Sequence, residues 1–156
     1  MGPDDRGTIR VTLASDGSPD ALAAADWISE RLAPWAVSCT VLTVVERGWD
    51  SDSTNERPGL DVDQEWALPA ARRTALRLNG IPVTIRILHG DAVREVLRDL
   101  RDNPADLLVV GHRGLRGVGG LVMGSVSQAL VHYAPVPVLV IPPTPVRQPS
   151  YHTAKA

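Results

Sequence analysis

The amino-acid sequence predicts a doubly wound α/β domain, a three-layer sandwich in which helices cover both faces of a five-stranded parallel sheet. Two observations predict this fold class. Short apolar runs rich in Val, Ile and Leu recur along the 156 residues, and such runs are typical of strands buried on both faces. A helical pattern follows every run except the last, and strands joined through helices lie parallel in one sheet.

The first part of the sequence is predicted to form a strand, a helix and a second strand. The strands are Ile9–Ala14 and Cys39–Val45, because both segments are rich in β-branched residues and continuously apolar. Asp20–Leu32 lies between them and carries apolar residues at helical spacing. Ser18 suits the N-cap of this helix, and Pro19 suits its first turn, where a missing N–H removes no hydrogen bond.

The second part of the sequence is predicted to add three strands and three helices. Leu107–Val110 is apolar on both faces, so we expect it inside the sheet. Pro137 cannot donate to a ladder, so the strand Val136–Ile141 is expected at an edge. The other expected elements are a helix at Pro69–Asn79 that ends at Gly80, a strand at Pro82–Leu88, a helix capped by Asp91 and a helix at Ser125–Tyr133.

The chain is expected to contain one domain with a loop and a tail. The domain is predicted to span residues 1–141, since 156 residues suit a single hydrophobic core. Residues 46–65 show no hydrophobic period and collect Asp, Ser, Asn, Gly and Pro, which predicts a long mobile loop. Residues 142–156 are rich in proline and are expected to form a disordered tail.

The composition excludes several classes of partner. The chain has 16 Lys and Arg against 18 Asp and Glu, so we expect no binding to nucleic acid or to an anionic membrane through bulk charge. No apolar run reaches the ~18 residues of a membrane span, and residues 1–10 lack the apolar core of a signal peptide. The single cysteine, Cys39, allows no internal disulfide and is expected in the core. The histidines lack metal-ligand spacing, so we expect no metal site. Without an apolar span, a signal peptide or paired cysteines, the domain is expected to be cytoplasmic.

A glycine-rich stretch is the clearest candidate for a ligand site. Gly111–Gly124 holds six glycines and no carboxylate, and it leads into a helix that opens at Ser125. Glycine lets the backbone approach an anion, and N–H groups of the stretch and of the helix start can point at it. Arg113 and Arg116 are not included, because loop arginines are most often solvated. The stretch lacks the lysine of a P-loop, and Ala14–Ser18 lacks the dinucleotide-binding pattern, so we expect another kind of phosphate site.

The order of these motifs resembles the ATP-binding branch of the universal stress protein family. The resemblance runs from Ile9 to Ile141 and rests first on the pattern Gly111-x2-Gly114-x9-Gly124-Ser125. Several ordered motifs at matching separations make it specific. The other motifs that carry it are Asp16-Gly17-Ser18, Val44, His89-Gly90-Asp91, Ala105-Asp106-Leu107, Gly124-Ser125-Val126-Ser127 and Pro137-Val138-Leu139-Val140.

The resemblance implies a Rossmann-like universal stress protein fold and an adenine nucleotide as ligand, namely ATP with or without Mg²⁺. It implies that Asp16 contacts the adenosine part and that the backbone of Val44 meets adenine. Val126 stands where many members carry a hydroxyl residue, so its phosphate contact would come from the backbone N–H alone. The residues implied for the ribose and the phosphates are Gly111, Gly114, Gly124 and Ser125.

The candidate residues also have explanations that need no ligand. Asp16 would suit the turn before the first helix, and the glycine-rich stretch could be a flexible surface loop. Ser125 and Gln128 match a Ser-x-x-Gln capping box. Val126 and Tyr133 fall on the apolar stripe that we expect to face the core.

Three functions are compatible with the sequence. The resemblance favours a nucleotide-dependent stress-response regulator, because the glycine pattern is intact. A nucleotide-free dimeric interaction protein on the same fold is the second hypothesis. The third is an enzyme limited to slow ATP hydrolysis or self-phosphorylation. The glycine-rich stretch offers no carboxylate, P-loop lysine or obvious base, so no catalytic residue is predicted.

A homodimer is also expected from the last strand. Val136–Ile141 is short and apolar, and an edge strand of this kind exposes unpaired backbone groups. Members of the family that the sequence resembles commonly dimerise through this strand. Pro137 limits which backbone groups can pair.

Overall fold

Five parallel strands and four α-helices alternate along the part of the chain that the computed structural model describes, residues 7–46, 63–114 and 122–143. A π-helical turn at Asp63–Ala67 leads directly into the second α-helix. The elements are β1 (Ile9–Ala14), α1 (Pro19–Leu32), β2 (Val37–Val45), α2 (Leu68–Ala75), β3 (Val83–His89), α3 (Ala92–Asp102), β4 (Leu107–Gly111), α4 (Ser125–Tyr133) and β5 (Val138–Ile141).

The sheet has the strand order β3-β2-β1-β4-β5, with helices on both faces. On one face, α1 and α2 cover a core that includes the fully buried Leu13 and Ile28. On the other face, α3 and α4 cover a second core around Leu42, Leu108 and Leu130. The three-layer, doubly wound fold class predicted from the sequence is therefore confirmed.

The strand β1 lies in the centre of the sheet, where it pairs with β2 on one side and β4 on the other. From β1 the chain winds outward through β2 to β3, and it then crosses back to β4 and β5. The connections that follow β1 and β4 therefore diverge, which makes this pair the topological switch point of the sheet. Doubly wound sheets bind ligands outside the carboxyl ends of the strands at such a point.

The predicted starts of α1 and α3 are confirmed to within one residue. α1 begins at Pro19, and the Ser18 hydroxyl accepts a hydrogen bond from the N–H of Ala21 at 3.3 Å. α3 begins directly after Asp91, whose Oδ1 accepts a hydrogen bond from the N–H of Arg94 at 2.9 Å. Each cap satisfies an N–H group that has no partner within its helix.

The helix α2 is shorter than the sequence predicts. The prediction extends to Asn79, whereas the helix ends at Ala75. The N–H of Leu78 bonds to the carbonyl oxygen of Ala75, three residues back, at 3.0 Å. Bonds of this spacing tighten the chain into turns and end the α-helix before Gly80 is reached.

The strand β5 lies at an edge of the sheet, as predicted, but begins two residues late. The prediction starts at Val136, whereas the strand starts at Val138. Pro137 has no N–H to give to the ladder, although its carbonyl oxygen accepts a hydrogen bond from the N–H of Leu108 at 2.9 Å.

The two edge strands present different surfaces. In β3, Arg86 places Nη1 3.1 Å from Oδ1 of the buried Asp99 in α3. The side-chain amide of Asn103 donates to the same oxygen at 3.1 Å. β5 is apolar throughout, and Val138–Val140 is only partly buried. Charged residues on an edge oppose pairing with another chain, whereas an apolar edge leaves pairing open.

Cys39 lies in β2, which begins at Val37, two residues before its predicted start. The side chain is 2% exposed, so the predicted core position is confirmed. Burial raises the pKa of the thiol to about 12, because the thiolate would lose its hydration. The thiol is therefore protonated at neutral pH.

Several predicted segments lie partly outside the described residues. Residues 47–62 of the predicted loop, 115–121 of the glycine-rich stretch and 144–156 of the predicted tail are outside them. The loop prediction is wrong for residues 63–65, which belong to the π-helical turn. Within the described ranges, no helix has the length and apolar character needed to cross a membrane.

Candidate functional site

A cleft of about 520 Å³ lies at the switch point, at the carboxyl ends of β1, β2 and β4. Its wall also includes residues from the starts of α3 and α4. The structure brings together all the candidate site residues that the sequence suggested. These are Asp16, Val44, Gly111, Gly114, Gly124, Ser125 and Val126.

A chain of buried hydrogen bonds holds the turn after β1. The N–H of Gly17 donates to Oγ of Ser15 at 3.1 Å, and the hydroxyl oxygens of Ser15 and Thr74 lie 2.7 Å apart. The Thr74 hydroxyl donates its one proton to the carbonyl oxygen of Ala70 at 3.0 Å. Ser15 is therefore the donor to Thr74. The chain of bonds ties the turn to α2.

Two further contacts fix the same turn. The Thr43 hydroxyl of β2 donates to the carbonyl oxygen of Ser15 at 2.9 Å, and both side chains are buried. Gly17 has a φ of 75°, and a Cβ at this position would lie 2.7 Å from the Cβ of Ala70. Glycine is therefore required at position 17 for its conformation and for its contact with α2.

The carboxylate of Asp16 spans the turn and the glycine-rich stretch. Its Oδ1 accepts a hydrogen bond from the N–H of Ser18 at 2.9 Å, so the predicted turn role of Asp16 is confirmed. Its Oδ2 lies 2.6 Å from the position that a Cβ would take at Gly114. A side chain at position 114 would collide with this carboxylate, which borders the cleft.

Gly111 brings the end of β4 against the start of α1. A Cβ at Gly111 would lie 2.8 Å from the backbone carbon of Asp20 and 3.0 Å from the nitrogen of Ala21. On the other side, the buried hydroxyl of Ser127 in α4 donates to the carbonyl oxygen of Gly111 at 2.7 Å. The close approach and the hydrogen bond together fix where the glycine-rich stretch leaves the sheet.

Arg113 is held by Asp20 in the first turn of α1. Its backbone N–H donates to Oδ2 of Asp20 at 3.0 Å, and its Nε lies 3.8 Å from the same oxygen. The two side chains are 27% and 14% exposed. The expectation of a solvated loop charge is therefore wrong for Arg113, which lines the cleft. Arg116 lies outside the described residues.

The helix α4 starts at the cleft without a side-chain cap. Gly124 is its N-cap, and the N–H of Gly124 donates to the carbonyl oxygen of His112 at 2.8 Å. Ser125 is the first helical residue, so the predicted capping box with Gln128 is wrong, because that motif needs its serine at the N-cap. The first N–H groups of α4 have no partner within the helix and border the cleft.

The inner face of α4 differs from the predicted apolar stripe. Val126 and Tyr133 are 37% and 71% exposed, whereas Ser127 and Leu130 are buried. The hydrogen bond from Ser127 to Gly111 turns this polar residue inward, and Val126 consequently lies at the cleft. The prediction that Val126 and Tyr133 face the core is wrong.

The cleft wall formed by the end of β2 and the start of α3 is mainly apolar. The end of β2 contributes Leu42, Val44 and Val45, and the start of α3 contributes Ala92 and Val96. One end of the cleft is therefore rich in glycine and backbone N–H groups, and the other is formed mainly by apolar side chains.

Trp66 and Glu46 also line the cleft, and sequence reasoning did not identify them as site residues. For Glu46 the available signal was its position directly after the carboxyl end of a buried strand. Trp66 follows the predicted loop and precedes a helix, so the sequence held no comparable signal for it. The residues that the structure describes contain no group of three or more His, Cys, Asp or Glu that could hold a metal ion.

Comparison with known proteins identifies relatives whose similarity covers most of the chain. Residues 9–142 match the model of the Universal stress protein family. The chain is 34% identical over 137 residues to Universal stress protein Rv2005c from Mycobacterium tuberculosis. That match covers 83% of this chain and 44% of the relative, so the chain spans less than half of the relative's length.

Solved structures share the fold. A universal stress protein in complex with cAMP has a TM-score of 0.63 at 22% identity, and the match covers 88% of this chain and 99% of that one. A universal stress protein family protein from Arabidopsis thaliana with AMP bound has a TM-score of 0.61 at 20% identity, covering 92% and 97%. The fold, the 34% identical relative and the family match over residues 9–142 agree: this chain belongs to the universal stress protein family.

Proposed function

We propose that this chain binds an adenine nucleotide in the switch-point cleft and acts as a nucleotide-dependent stress-response regulator, with ATP as its ligand. The observation that carries the proposal is the division of the cleft into a glycine-rich end and an apolar end. A nucleotide has the same division between its phosphates and its base. The related proteins solved with cAMP and with AMP support adenine as the base.

The phosphates would lie at the glycine-rich end. Gly124 lines the cleft and carries no side chain that would keep an anion away from its backbone. The first N–H groups of α4, from Ser125 and Val126, would donate to the phosphate oxygens, and the positive end of the helix dipole favours the anion. A Mg²⁺ ion would be held chiefly by the phosphates and water, as is usual for this cation.

The ribose and the base would lie toward β2. The Asp16 carboxylate would accept hydrogen bonds from ribose hydroxyls, because its Oδ2 borders the cleft beside Gly114. The backbone of Val44 would meet adenine, and Leu42 and Val96 would cover part of its apolar surface. Burying an apolar face of the base in this way is favourable by about 25 cal/mol per Å².

Regulation would follow from a ligand that contacts both the turn after β1 and the exit of β4. The turn after β1 is tied to α2, and the exit of β4 is tied to α1 and α4. A ligand that contacts both segments favours the conformations in which they are correctly placed for it, so its occupancy changes the surface around the cleft. Turnover would be slow at most, since the stretch has no P-loop lysine and Arg113 is engaged with Asp20. We place this activity in the cytoplasm, where adenine nucleotides are available.

The protein is further proposed to form a homodimer through β5. The edge at β5 is apolar and partly buried, whereas the opposite edge carries the paired Arg86. An uncovered apolar edge strand pairs readily with a second strand, and a copy of the same chain supplies one. Pro137, just before the strand, restricts this pairing to the residues that follow it.

The test is identification of the nucleotide. The protein would be purified gently, any bound small molecule released by heat and identified, and the stripped protein titrated with ATP and Mg²⁺. We expect a bound adenine nucleotide or micromolar affinity for ATP. Light scattering of the same sample at micromolar concentration should give the mass of a dimer, and a monomeric mass would overturn the proposed dimer.

The matched variants are Gly124→Val and Gly7→Val. Gly124 has an extended conformation, and a Cβ there would be in ordinary contact with its nearest described atoms at 3.5 Å, so valine should reduce the ligand space without unfolding the chain. We expect at least a tenfold loss of ATP affinity from it. Gly7 has none of the described atoms within 4 Å of its Cβ position and is not among the lining residues of the cleft, so Gly7→Val should bind as the original chain does. If the protein shows no binding of ATP up to millimolar concentration, the hypothesis of a nucleotide-free interaction protein would be favoured instead.

A further inference from the structure

Among the described residues that line the cleft, Trp66 is the one aromatic residue. It belongs to the π-helical turn Asp63–Ala67, is partly buried and lines the cleft. The described wall of the cleft also includes Val44, Val45 and Glu46 from the end of β2 and Ala92 from the start of α3. A large aromatic residue that keeps part of its surface exposed at a cleft can gain burial from a flat ligand.

The chain around Trp66 is firmly anchored. The next residue, Ala67, is fully buried, and Ala70 and Ala71 in the first turns of α2 are 2% and 0% exposed. The same helix carries Thr74, which joins the hydrogen-bond chain that holds the turn before Asp16. Trp66 and Asp16 are therefore supported by one connected unit, which fixes the distance between them before a ligand arrives.

We propose that Trp66 is the base-recognition residue of the cleft, stacking its indole on the nucleobase while Asp16 holds the ribose. This inference rests on the proposed nucleotide function and adds a reason for selectivity. Stacking depends on the overlap of two flat rings, and the two-ring purine offers more area than the one-ring pyrimidine. The residue thus makes the cleft prefer purine nucleotides, a contribution that the glycine-rich end cannot supply because phosphates are common to all nucleotides.

The experiment compares AMP with uridine 5′-monophosphate by calorimetric titration of the stripped full chain. We expect the original chain to bind AMP more tightly, and Trp66→Leu to weaken AMP binding about 5- to 100-fold, the usual effect of losing one base–aromatic stack. The preference for AMP over uridine 5′-monophosphate should shrink in this variant. Trp66→Phe keeps an aromatic face, so it should retain most of the affinity for AMP and most of the preference for AMP over uridine 5′-monophosphate.

A matched control separates stacking from general damage. Trp35 is 63% exposed and does not line the cleft, so Trp35→Leu should leave both affinities unchanged. Nucleotide stacking on an indole also changes its fluorescence, so AMP should alter the emission of the original chain and of Trp35→Leu, but not of Trp66→Leu. If Trp66→Leu does not fold, both readings are made on Trp66→Phe, where the preference for AMP should be reduced in part and the fluorescence change should be lost with the indole.

The outcomes distinguish this inference from the proposed function. If the original chain binds no nucleotide, the proposed function and this inference are both overturned. If it binds AMP and Trp66→Leu binds equally well, only the base-recognition role is overturned. A variant that loses affinity for both nucleotides by the same factor would show that Trp66 merely supports the structure, and this too overturns the inference.

Discussion

The turn after β1 and the exit of β4 border the same cleft, but different interactions hold them. The turn depends on three buried side-chain hydroxyls. The hydroxyl of Ser15 bonds to that of Thr74, and the hydroxyl of Thr43 bonds to the backbone carbonyl oxygen of Ser15. The exit depends on the absence of a side chain, since Gly111 lies directly against the backbone of α1. The turn should therefore be sensitive to the loss of a polar atom, and the exit to the gain of a methyl group.

The largest expected effect is at the exit of β4. In Gly111→Ala the added methyl would lie 2.8 Å from the backbone carbon of Asp20, so α1 or β4 must shift. We expect this overpacking to lower the free energy of unfolding by about 3 kcal/mol, measured by urea denaturation.

The control for that variant is Gly124→Ala in the same stretch. Its methyl would meet its nearest atoms at 3.5 Å, an ordinary contact, so we expect a loss below about 1 kcal/mol. Equal losses in the two variants would contradict the view that close backbone packing holds the exit.

A smaller effect is expected in the turn after β1. Thr74→Val keeps the shape of this fully buried side chain but leaves the Ser15 hydroxyl without its acceptor. An unsatisfied buried hydroxyl should lower the free energy of unfolding by about 2 kcal/mol.

The companion variant removes the other partner as well. In Ser15→Ala/Thr74→Val no Ser15 hydroxyl is left unsatisfied, so the double variant should lose clearly less than the sum of the two single losses. Strict additivity in the urea series would show that the hydroxyl pair is not coupled.

The smallest expected effect is at Ser18, where the turn becomes α1. Ser18→Ala removes the cap on the N–H of Ala21, and we expect a loss of about 1 kcal/mol, whereas Ser18→Gly should lose only a few tenths. Thermal unfolding of the two variants side by side measures this difference. If Ser18→Gly lowered the stability as much as Ser18→Ala, the capping role of Ser18 would be wrong.

Features set by neighbouring residues could be predicted from the sequence. The parallel sheet covered by helices follows from alternating apolar runs and helical patterns, and the caps at Ser18 and Asp91 follow from local chemistry. The grouping of the candidate residues at the cleft follows from their places after strands, because parallel strands end at one edge of the sheet.

Features that depend on distant partners could not be predicted. Ser15, Thr43 and Thr74 are far apart in the sequence, so no local pattern marks them as one network. The capping box at Ser125 failed because Gly124 took the N-cap once its N–H bonded to His112, a contact across the glycine-rich stretch. No local pattern marks Trp66 as a cleft residue, since the residues between β2 and Trp66 show no hydrophobic period.

The buried thiol has a practical consequence. Cys39 is the chain's one cysteine, and its burial and raised pKa protect it from thiol reagents while the sheet is closed. A reagent can modify it only during moments when β2 becomes exposed, so the labelling rate in plain buffer reports how often the core opens. The labelling rate of Cys39 therefore measures the opening of the core. A ligand that binds the folded chain should lower this rate in proportion to the ligand concentration once the site is nearly saturated.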